Sequence, residues 1–308
     1  MTHLKPILEY RYRRRLLGIA KSYLRRQLFR HLTRNSVGLF MLGGDLLSVS
    51  PQLSELHEPA LASFLDACAS AGFDDFFFDI GANIGLTSCQ SGSRFKFVHM
   101  FEPNPLCCSI LRVNAAVSLE KGAFVVHEHG LGATDCVVSL NVPRSNWGGA
   151  FIWDAGNAYG EKLLAMKDGY SSVDPKNYFT ILARIRNTTN ELSRHFDSLA
   201  SRGMRAGVLK LDVEGYEFEI LKGIAAALPS NLKVVIIFES WDPALPIQDI
   251  LRLFSRKVTA HCLYSDIFMA KRSRMRRAMS AILNGGETVS LGTTSPERLT
   301  GDIVLIAA

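Results

Sequence analysis

Short apolar segments alternate with amphipathic segments along most of the chain. Segments such as "FFFDI" and "VVIIF" carry hydrophobic residues at consecutive positions, which is typical of strands buried on both faces of a sheet. We predict strands over residues 76–80, 95–102, 123–129, 208–213, 233–239 and 302–307, and helices over residues 57–70, 105–117, 216–228 and 246–255. This alternation predicts an α/β fold, with an open, mostly parallel sheet and helices on both faces.

The segment between residues 135 and 195 interrupts the alternation. It begins with "CVVSLNVP", which suggests a hairpin, and continues into the Trp-, Gly- and Asn-rich "RSNWGGAFIWDAGNAYG". Long ordered insertions in α/β domains are often lids or binding loops. We therefore expect this insertion to cover a binding site.

The N-terminal segment 5–34 is helical in pattern and basic. Apolar residues recur at every fourth position, at Tyr12, Leu16, Ala20, Leu24, Leu28 and Leu32, with arginines around them. The pattern leaves three interpretations open: a helix that caps the main domain, a helix on an anionic membrane surface, or a transit-type segment. We divide the chain into a basic helical arm with its linker (1–50) and a main domain (51–308).

Composition and charge narrow the possible partners. Of the 308 residues, 47% are hydrophobic and 21% charged, which suits one sizeable core. The net charge is +6, but residues 1–34 carry ten basic residues and one acidic residue, so the remainder carries 6 − 9 = −3. That balance argues against a nucleic-acid partner. The second basic run, "KRSRMRR" (271–277), is either a contact for an anionic acceptor or a solvated loop.

Cysteine usage and hydropathy indicate the compartment. The six cysteines show no paired CxxC spacing, and no apolar run is long enough to span a membrane. These features predict a soluble cytoplasmic protein with reduced thiols, which is membrane-peripheral if the arm binds lipid.

Distinctive groups follow four successive predicted strands. Ligands bind at the carboxyl ends of strands in such sheets, so we expect these groups to share one site. They lie in "DIGANIG", "FEPNP", "GLG" and "LDVEG", and the candidate residues are Asp79, Gly81, Asn83, Gly85, Glu102, Asn104, Leu131, Asp212 and Glu214. The glycine spacing is GxxxG rather than the GxGxxG of dinucleotide folds, and no GxxxxGK[ST] is present. A nucleoside without a pyrophosphate fits best, with Glu102 placed to bind a ribose diol.

These motifs, together with "FDSL" (196–199), "LKLDVEGYE", "LKG" and "VVIIFE", resemble the FkbM-type S-adenosylmethionine-dependent methyltransferases over roughly residues 57–240. The resemblance implies a Rossmann-like class I methyltransferase fold. It also implies that Asp79, Gly81, Asn83 and Glu102 line the cofactor pocket, with Leu131 near the adenine. Family members mostly methylate hydroxyl oxygens of sugars or natural products. Only 15 residues separate Gly85 from Phe101, so the first helix should be short with an irregular end.

The carboxylates at the end of the fourth strand are the candidate catalytic residues. By the same resemblance, Asp212 and Glu214 would face the methyl group and the acceptor. A neutral hydroxyl is a poor nucleophile, so we predict that Asp212 takes its proton as general base and that Glu214 orients the acceptor. Lys210 is expected to neutralise a carboxylate. The alternative role for Asp212 is to bind the amino group of the cofactor or to fix the turn.

The predicted function is O-methylation of a hydroxyl on a small molecule, glycan or glycolipid. Two alternatives remain: a nicotinamide-dependent oxidoreductase, opposed by the missing third glycine, and a non-catalytic membrane-peripheral binding protein with the same fold. We predict no metal site. His127 and His129 of "HEH" share one face of a strand, but no third or fourth ligand is apparent from the spacing, so the pair is expected to be structural or to face the acceptor.

Overall fold

The computed structural model describes residues 4–32, 56–153, 172–240, 247–265, 282, 286–293 and 301–307. Its helices are α1 (Lys5–Leu8), α2 (Leu16–Leu32), α3 (Pro59–Ser70), α4 (Leu86–Ser91), α5 (Pro105–Ser118), α6 (Thr188–Ser201), α7 (Glu217–Ala227) and α8 (Ile247–Leu253). Its strands are β1 (Arg11–Arg15), β2 (Phe76–Ile80), β3 (Phe97–Phe101), β4 (Phe124–His127), β5 (Gly130–Gly132), β6 (Cys136–Pro143), β7 (Phe151–Ile152), β8 (Tyr178–Asn187), β9 (Ala206–Leu211), β10 (Lys233–Ser240), β11 (Thr259–Ser265), β12 (Gly286–Thr293) and β13 (Gly301–Ala307).

The main sheet is mixed, with a parallel core. Its strand order is β1-β12-β11-β13-β10-β9-β2-β3-β4, and the five strands from β10 to β4 are all parallel. Beyond β10, each neighbouring pair is antiparallel. The predicted mostly parallel sheet is therefore confirmed for the core, while the antiparallel extension formed by β11, β12 and β1 was not predicted. Parallel strands end at one edge, which brings the four motif segments together.

Two apolar layers cover the faces of the sheet, as the strand pattern requires. Phe76 and Phe78 face the layer formed with α6, α7 and α8, whereas Phe77 faces the layer formed with α3 and α5. All five side chains of β2 are buried, including that of Asp79. Successive strand residues point to opposite faces, so a run such as "FFFDI" can serve both layers.

The N-terminal arm is not the single helix that its pattern predicted. Residues Arg11–Arg15 form β1, which pairs antiparallel with β12 at the edge of the main sheet, and α2 begins only at Leu16. The physical reason is that exposure alternates along "RYRRR" with the two-residue period of a strand: Tyr12 and Arg14 are half-buried and the other arginines are exposed. Tyr10, just before β1, is buried and donates a hydrogen bond to the carbonyl of Ala60 at 2.6 Å.

Helix α2 leaves apolar side chains uncovered. Leu17, Leu24 and Leu28 are 75%, 68% and 57% exposed, among basic residues. Within the described part of the chain, none of the helices has the length and apolar character needed to pass through a bilayer. The linker that precedes residue 51 lies outside the described residues, and so does the basic run 271–277. The division of the chain at residue 50 stays a prediction.

The insertion forms a second, four-stranded sheet with the order β5-β8-β6-β7. The "CVVSLNVP" segment is β6, and it pairs antiparallel with β8 along its length and with the short β7. Strand β5 follows β4 of the main sheet directly and pairs parallel with β8. The second sheet is thus attached to the main domain beside the motif edge. Residues 154–171 of the insertion lie outside the described residues.

The first helix after the glycine motif is short, as predicted. Helix α4 ends at Ser91 and continues as a single 3-10 turn, Gly92–Arg94, before β3 begins. The other helices and strands predicted in the main domain are also present, with ends within two residues of the predicted ones.

Candidate active site

A cavity of about 480 Å³ lies at the carboxyl ends of β2, β3 and β9. This volume is within the range of small-molecule sites. The wall includes six of the nine candidate residues, namely Gly81, Asn83, Glu102, Leu131, Asp212 and Glu214. The remaining three, Asp79, Gly85 and Asn104, lie behind the wall.

Glu102 is held in the wall by backbone amides. The Asn83 N–H donates to its Oε2 at 2.7 Å and the Asn104 N–H donates to its Oε1 at 2.8 Å. Burial raises the pKa of Glu102 to about 7, although these two hydrogen bonds oppose the shift. Each carboxylate oxygen keeps a further lone pair, so Glu102 is able to accept hydrogen bonds from a diol.

Gly81 brings the turn after β2 against the end of β9. Its φ is +84°, and a Cβ atom at this position would lie 2.0 Å from the carbonyl oxygen of Asp212. Only glycine combines that φ with such a close approach of two backbones. Asn83 also adopts a positive φ of 50°, and its N–H donates to Glu102.

Lys210 connects the two aspartates. Its Nζ lies 3.3 Å from Oδ1 of Asp79 and 3.2 Å from Oδ2 of Asp212. Asp79 is fully buried and its Oδ2 accepts from the hydroxyl of Ser88 at 2.5 Å, whereas the Asp212 side chain is 45% exposed. Burial alone would lower the pKa of Lys210, but the charges of Asp212 and Asp79 outweigh it and raise that pKa above its usual range. Lys210 therefore neutralises carboxylates, as its position predicted, and it also lines the cavity.

Asn104 and Gly85 support the wall from behind. The Asn104 side chain caps α5 by accepting from the N–H of Leu106 at 3.0 Å, and this cap fixes the loop in which the N–H of Asn104 binds Glu102. Gly85 precedes α4 with a φ of +83°, and a Cβ atom there would lie 2.4 Å from Cδ1 of Leu111. Both residues therefore support the cavity wall and do not line it.

The insertion supplies a part of the wall that the motifs did not identify. A 3-10 turn, Trp147–Gly149, closes over the turn after β2, and a Cβ atom on Gly148 would lie 2.3 Å from Nδ2 of Asn83. Among the described residues, Oδ1 of Asn83 and Nε1 of Trp147 are buried without a hydrogen-bond partner. Buried polar atoms are normally paired, so these two are available to a ligand. In the sequence, the Trp-, Gly- and Asn-rich composition was the signal of a binding loop. The arrangement agrees with the prediction that the insertion covers a site.

Acidic side chains outnumber basic ones in the wall. Among the described residues, the acidic side chains that line the cavity are Glu58, Glu102, Asp212, Glu214 and Glu239, and Lys210 is the one lysine. His57 and Tyr216 also line it and were not predicted. Burial raises the pKa of Glu58, with Lys210 opposing the shift. The cavity therefore favours a ligand with positive charge or with hydroxyl groups over an anionic one.

The parallel core, the glycine turn after its first strand and the acidic residue that ends the second strand define an α/β nucleoside-binding methyltransferase fold. The sequence model of the FkbM methyltransferase domain matches residues 79–262. The chain belongs to this family, and it is an S-adenosylmethionine-dependent methyltransferase. The nicotinamide alternative is thereby set aside.

Individual relatives are distant. The chain is 26% identical over 191 residues to the methyltransferase sdnD of Sordaria araneosa, which covers 59% of this chain and 73% of that protein. It is 28% identical over 185 residues to the hexuronic acid methyltransferase AglP of Haloferax volcanii, covering 59% of this chain and 62% of the relative. A solved FkbM methyltransferase of Methylobacillus flagellatus superposes with a TM-score of 0.39 at 12% identity, over 94% of this chain and 60% of the other.

Proposed function

We propose that the chain transfers the methyl group of S-adenosylmethionine to a hydroxyl oxygen of a small molecule or glycan, with Asp212 as the general base. The observation that carries the proposal is the partly exposed carboxylate of Asp212 in the cavity wall, fixed by Lys210 at 3.2 Å. It lies in the same cavity as Glu102 and the glycine turn.

The wall residues fit the cofactor. Glu102 would accept hydrogen bonds from the ribose hydroxyls, and Gly81 with Leu131 would leave room for the rest of the nucleoside. Oδ1 of Asn83 and Nε1 of Trp147 have no hydrogen-bond partner among the described residues, so they offer one acceptor and one donor to the ligand. When bound, S-adenosylmethionine supplies a methyl group that is already strongly electrophilic. The protein then has to align the acceptor oxygen, exclude water and accept one proton.

Asp212 suits the transfer of that proton. The Lys210 ammonium group favours the ionised form of the carboxylate, which is the form that accepts a proton. Asp79 shares the same ammonium group, so its charge partly offsets the effect of Lys210 on Asp212. Glu214 lines the cavity two residues further on, and we assign it to hydrogen bonds that orient the acceptor.

The charge of the wall indicates the class of acceptor. Acidic side chains outnumber Lys210 among the described residues of the wall, so an anionic group would be repelled near Asp212, and a neutral polyhydroxyl compound, such as a saccharide or a natural product, fits best. The name of the relative AglP includes a hexuronic acid, which is anionic. The present wall favours the hydroxyl groups of such a sugar over its carboxylate as the contact with Asp212 and Glu214.

Substitution of Asp212 by Asn tests the base. The amide keeps the size of the side chain but removes its basicity, so methyl transfer at saturating cofactor should fall roughly 10²–10⁴-fold. The affinity for S-adenosylhomocysteine and the melting temperature should barely change. Methyl-labelled S-adenosylmethionine with glycan and lipid fractions of cells provides the rate, and calorimetry provides the affinity. Asp249→Asn, on the surface of α8, is the matched control.

The possible outcomes are distinct. A near-normal saturated rate in Asp212→Asn would remove the assignment of the base. A large loss of S-adenosylhomocysteine affinity with a normal saturated rate would instead place Asp212 on the amino group of the cofactor. The proposed contact of the arm with anionic membranes rests on the exposed leucines and basic residues of α2, and it stays a prediction.

A further inference from the structure

Four histidines and one glutamate converge on the face of the main sheet that packs against α6. His99 lies in β3, His127 ends β4 and His129 follows it, while Glu191 and His195 lie one turn apart on α6. The ring centroid of His195 lies 4.7 Å from that of His99 and 4.7 Å from that of His127. The pair "HEH" thus has close neighbours in the fold that its spacing did not reveal.

The donor atoms have the spacing that a metal ion requires. Two overlapping sets, His99–His127–His195 and His127–His129–Glu191, each place one ligand atom per residue within 4.8 Å of the others. Nδ1 of His99 and Nε2 of His127 share a hydrogen bond at 3.1 Å, and Oε1 of Glu191 lies 3.3 Å from Nε2 of His129 and 3.4 Å from Nε2 of His195. Around a tetrahedral zinc ion with bonds of about 2.0–2.1 Å, neighbouring donor atoms are about 3.3 Å apart.

Hydrogen bonding alone leaves the cluster incomplete. Nε2 of His129 and Nε2 of His195 are buried and make no hydrogen bond with any described residue, although Glu191 lies within 3.4 Å of both. Glu191 is therefore paired with both imidazoles, and neither has the carboxylate to itself. Sharing one carboxylate leaves both buried nitrogens incompletely satisfied unless something else binds them.

We propose that this cluster, His99, His127, His129, Glu191 and His195, binds a zinc-class divalent cation. Imidazoles with at most one carboxylate are typical ligands of Zn²⁺, Cu²⁺, Ni²⁺ or Co²⁺, whereas Mg²⁺ and Ca²⁺ prefer oxygen. The proposal is independent of the proposed function, because none of these five residues lines the cavity.

An entry path exists on the outer side. A polar depression of about 300 Å³ reaches His129 and Glu191, and its rim includes Asp135, Arg186 and Arg194. Arg194 lies 3.7 Å from Glu191 but its side chain is 78% exposed, so water screens its repulsion of a cation. The bound ion would join β3 and β4 to α6, the helix by which the insertion returns to the main domain.

The experiment uses the full chain with zinc alone as the probe. The protein is stripped with a chelator, equilibrated with Zn²⁺, freed of excess metal and assayed for metal content. We expect about one equivalent and a melting temperature several degrees above that of the stripped protein. His127→Asn and His195→Asn should lose most of the retained zinc. His261→Asn, which removes a buried histidine of β11 that lies outside the cluster, should retain it.

Cobalt keeps the test decisive if the variants fold poorly. Co²⁺ bound by four ligands in the wild-type protein should give intense visible ligand-field absorption, which Zn²⁺ should remove by competition. Far-ultraviolet circular dichroism and a cooperative thermal transition report whether each variant is folded. Wild-type protein that retains well under one-tenth of an equivalent of zinc and shows no cobalt spectrum would overturn the proposal. Equal zinc retention by wild type, His127→Asn and His195→Asn would overturn it as well.

Discussion

The burial of Glu102 makes cofactor binding depend on pH near neutrality. Its carboxylate must be ionised to accept two hydrogen bonds from a diol, because a protonated oxygen becomes a donor. Burial raises the pKa of this group to about 7, so a large fraction of the ligand-free protein carries a neutral Glu102 at pH 6. Rising pH should therefore strengthen the binding of S-adenosylhomocysteine.

The magnitude follows from the pKa. If only the ionised form binds, the apparent Kd is the intrinsic Kd multiplied by 1 + 10^(pKa − pH). With a pKa of about 7, this factor is about 11 at pH 6 and about 1.1 at pH 8. The Kd should fall about tenfold across this range, which corresponds to about 1.4 kcal/mol. Most of the change should be complete by pH 8.

Calorimetric titration with S-adenosylhomocysteine at pH 6, 7 and 8 measures the effect, and two variants locate it. Glu102→Gln removes the titration and should bind weakly with little dependence on pH. Asp302→Asn is the matched control, because burial raises the pKa of Asp302 to about 7 as well and it lies outside the cavity wall. It should keep the tenfold change.

Two results would refute the reasoning. A Kd in the wild-type protein that is constant from pH 6 to pH 8 would show that ionisation of Glu102 does not control binding. A pH dependence that survives in Glu102→Gln but disappears in Asp302→Asn would assign the titration to the other carboxyl group.

Two further substitutions test the supports of the site. Gly81→Ala would place a Cβ atom 2.0 Å from the carbonyl oxygen of Asp212, so it should weaken S-adenosylhomocysteine binding more than tenfold. Gly122→Ala is the control, because Gly122 has a similar φ of +89° but no atom lies within 4 Å of the new Cβ; it should cost only about 1–2 kcal/mol of stability and leave binding normal. Equal effects of the two substitutions on binding would show that the strain from φ, and not the contact with Asp212, causes the loss. Lys210→Met would leave the fully buried Asp79 without its cation and should destabilise the fold by about 3–5 kcal/mol in urea unfolding. Lys222→Met, which breaks a surface ion pair with Glu219, should cost less than about 1 kcal/mol, and a similar loss in both would contradict the role of Lys210.

The elements that could be predicted from the sequence are those whose pattern lies within a few consecutive residues. Strands such as β2 are recognisable because burial on both faces requires consecutive apolar residues, and the polar groups that follow them lie at one edge because parallel strands end together. The same local reasoning failed for β1, since Tyr12 and Leu16 fit a four-residue helical period as well as they fit a strand followed by a helix. The pairing of β1 with β12 joins residues more than 270 positions apart, and no local pattern reports it.

The cluster of histidines was not predicted for a similar reason. His127 and His129 are close in sequence, but His99 belongs to another strand and His195 to the helix at the far end of the insertion. In the sequence of a strand, an isolated histidine looks the same as any other half-buried polar residue. The turn at Trp147 is also remote from Asn83 in sequence, so its composition indicated a binding loop without indicating which motif it covers.

Strand β3 places the two sites back to back. Side chains alternate along it, so His99 and Phe101 point towards α6, whereas Met100 belongs to the opposite apolar layer. Phe101 stacks on His127 with centroids 4.3 Å apart and also lines the cavity, and the next residue is Glu102. The segment after β4 has the same arrangement, since His129 belongs to the cluster and Leu131 lines the cavity. Any ion that fixes the rings of His127 and His129 would thus also fix the wall against which the nucleoside is proposed to lie, at the junction where β5 attaches the second sheet.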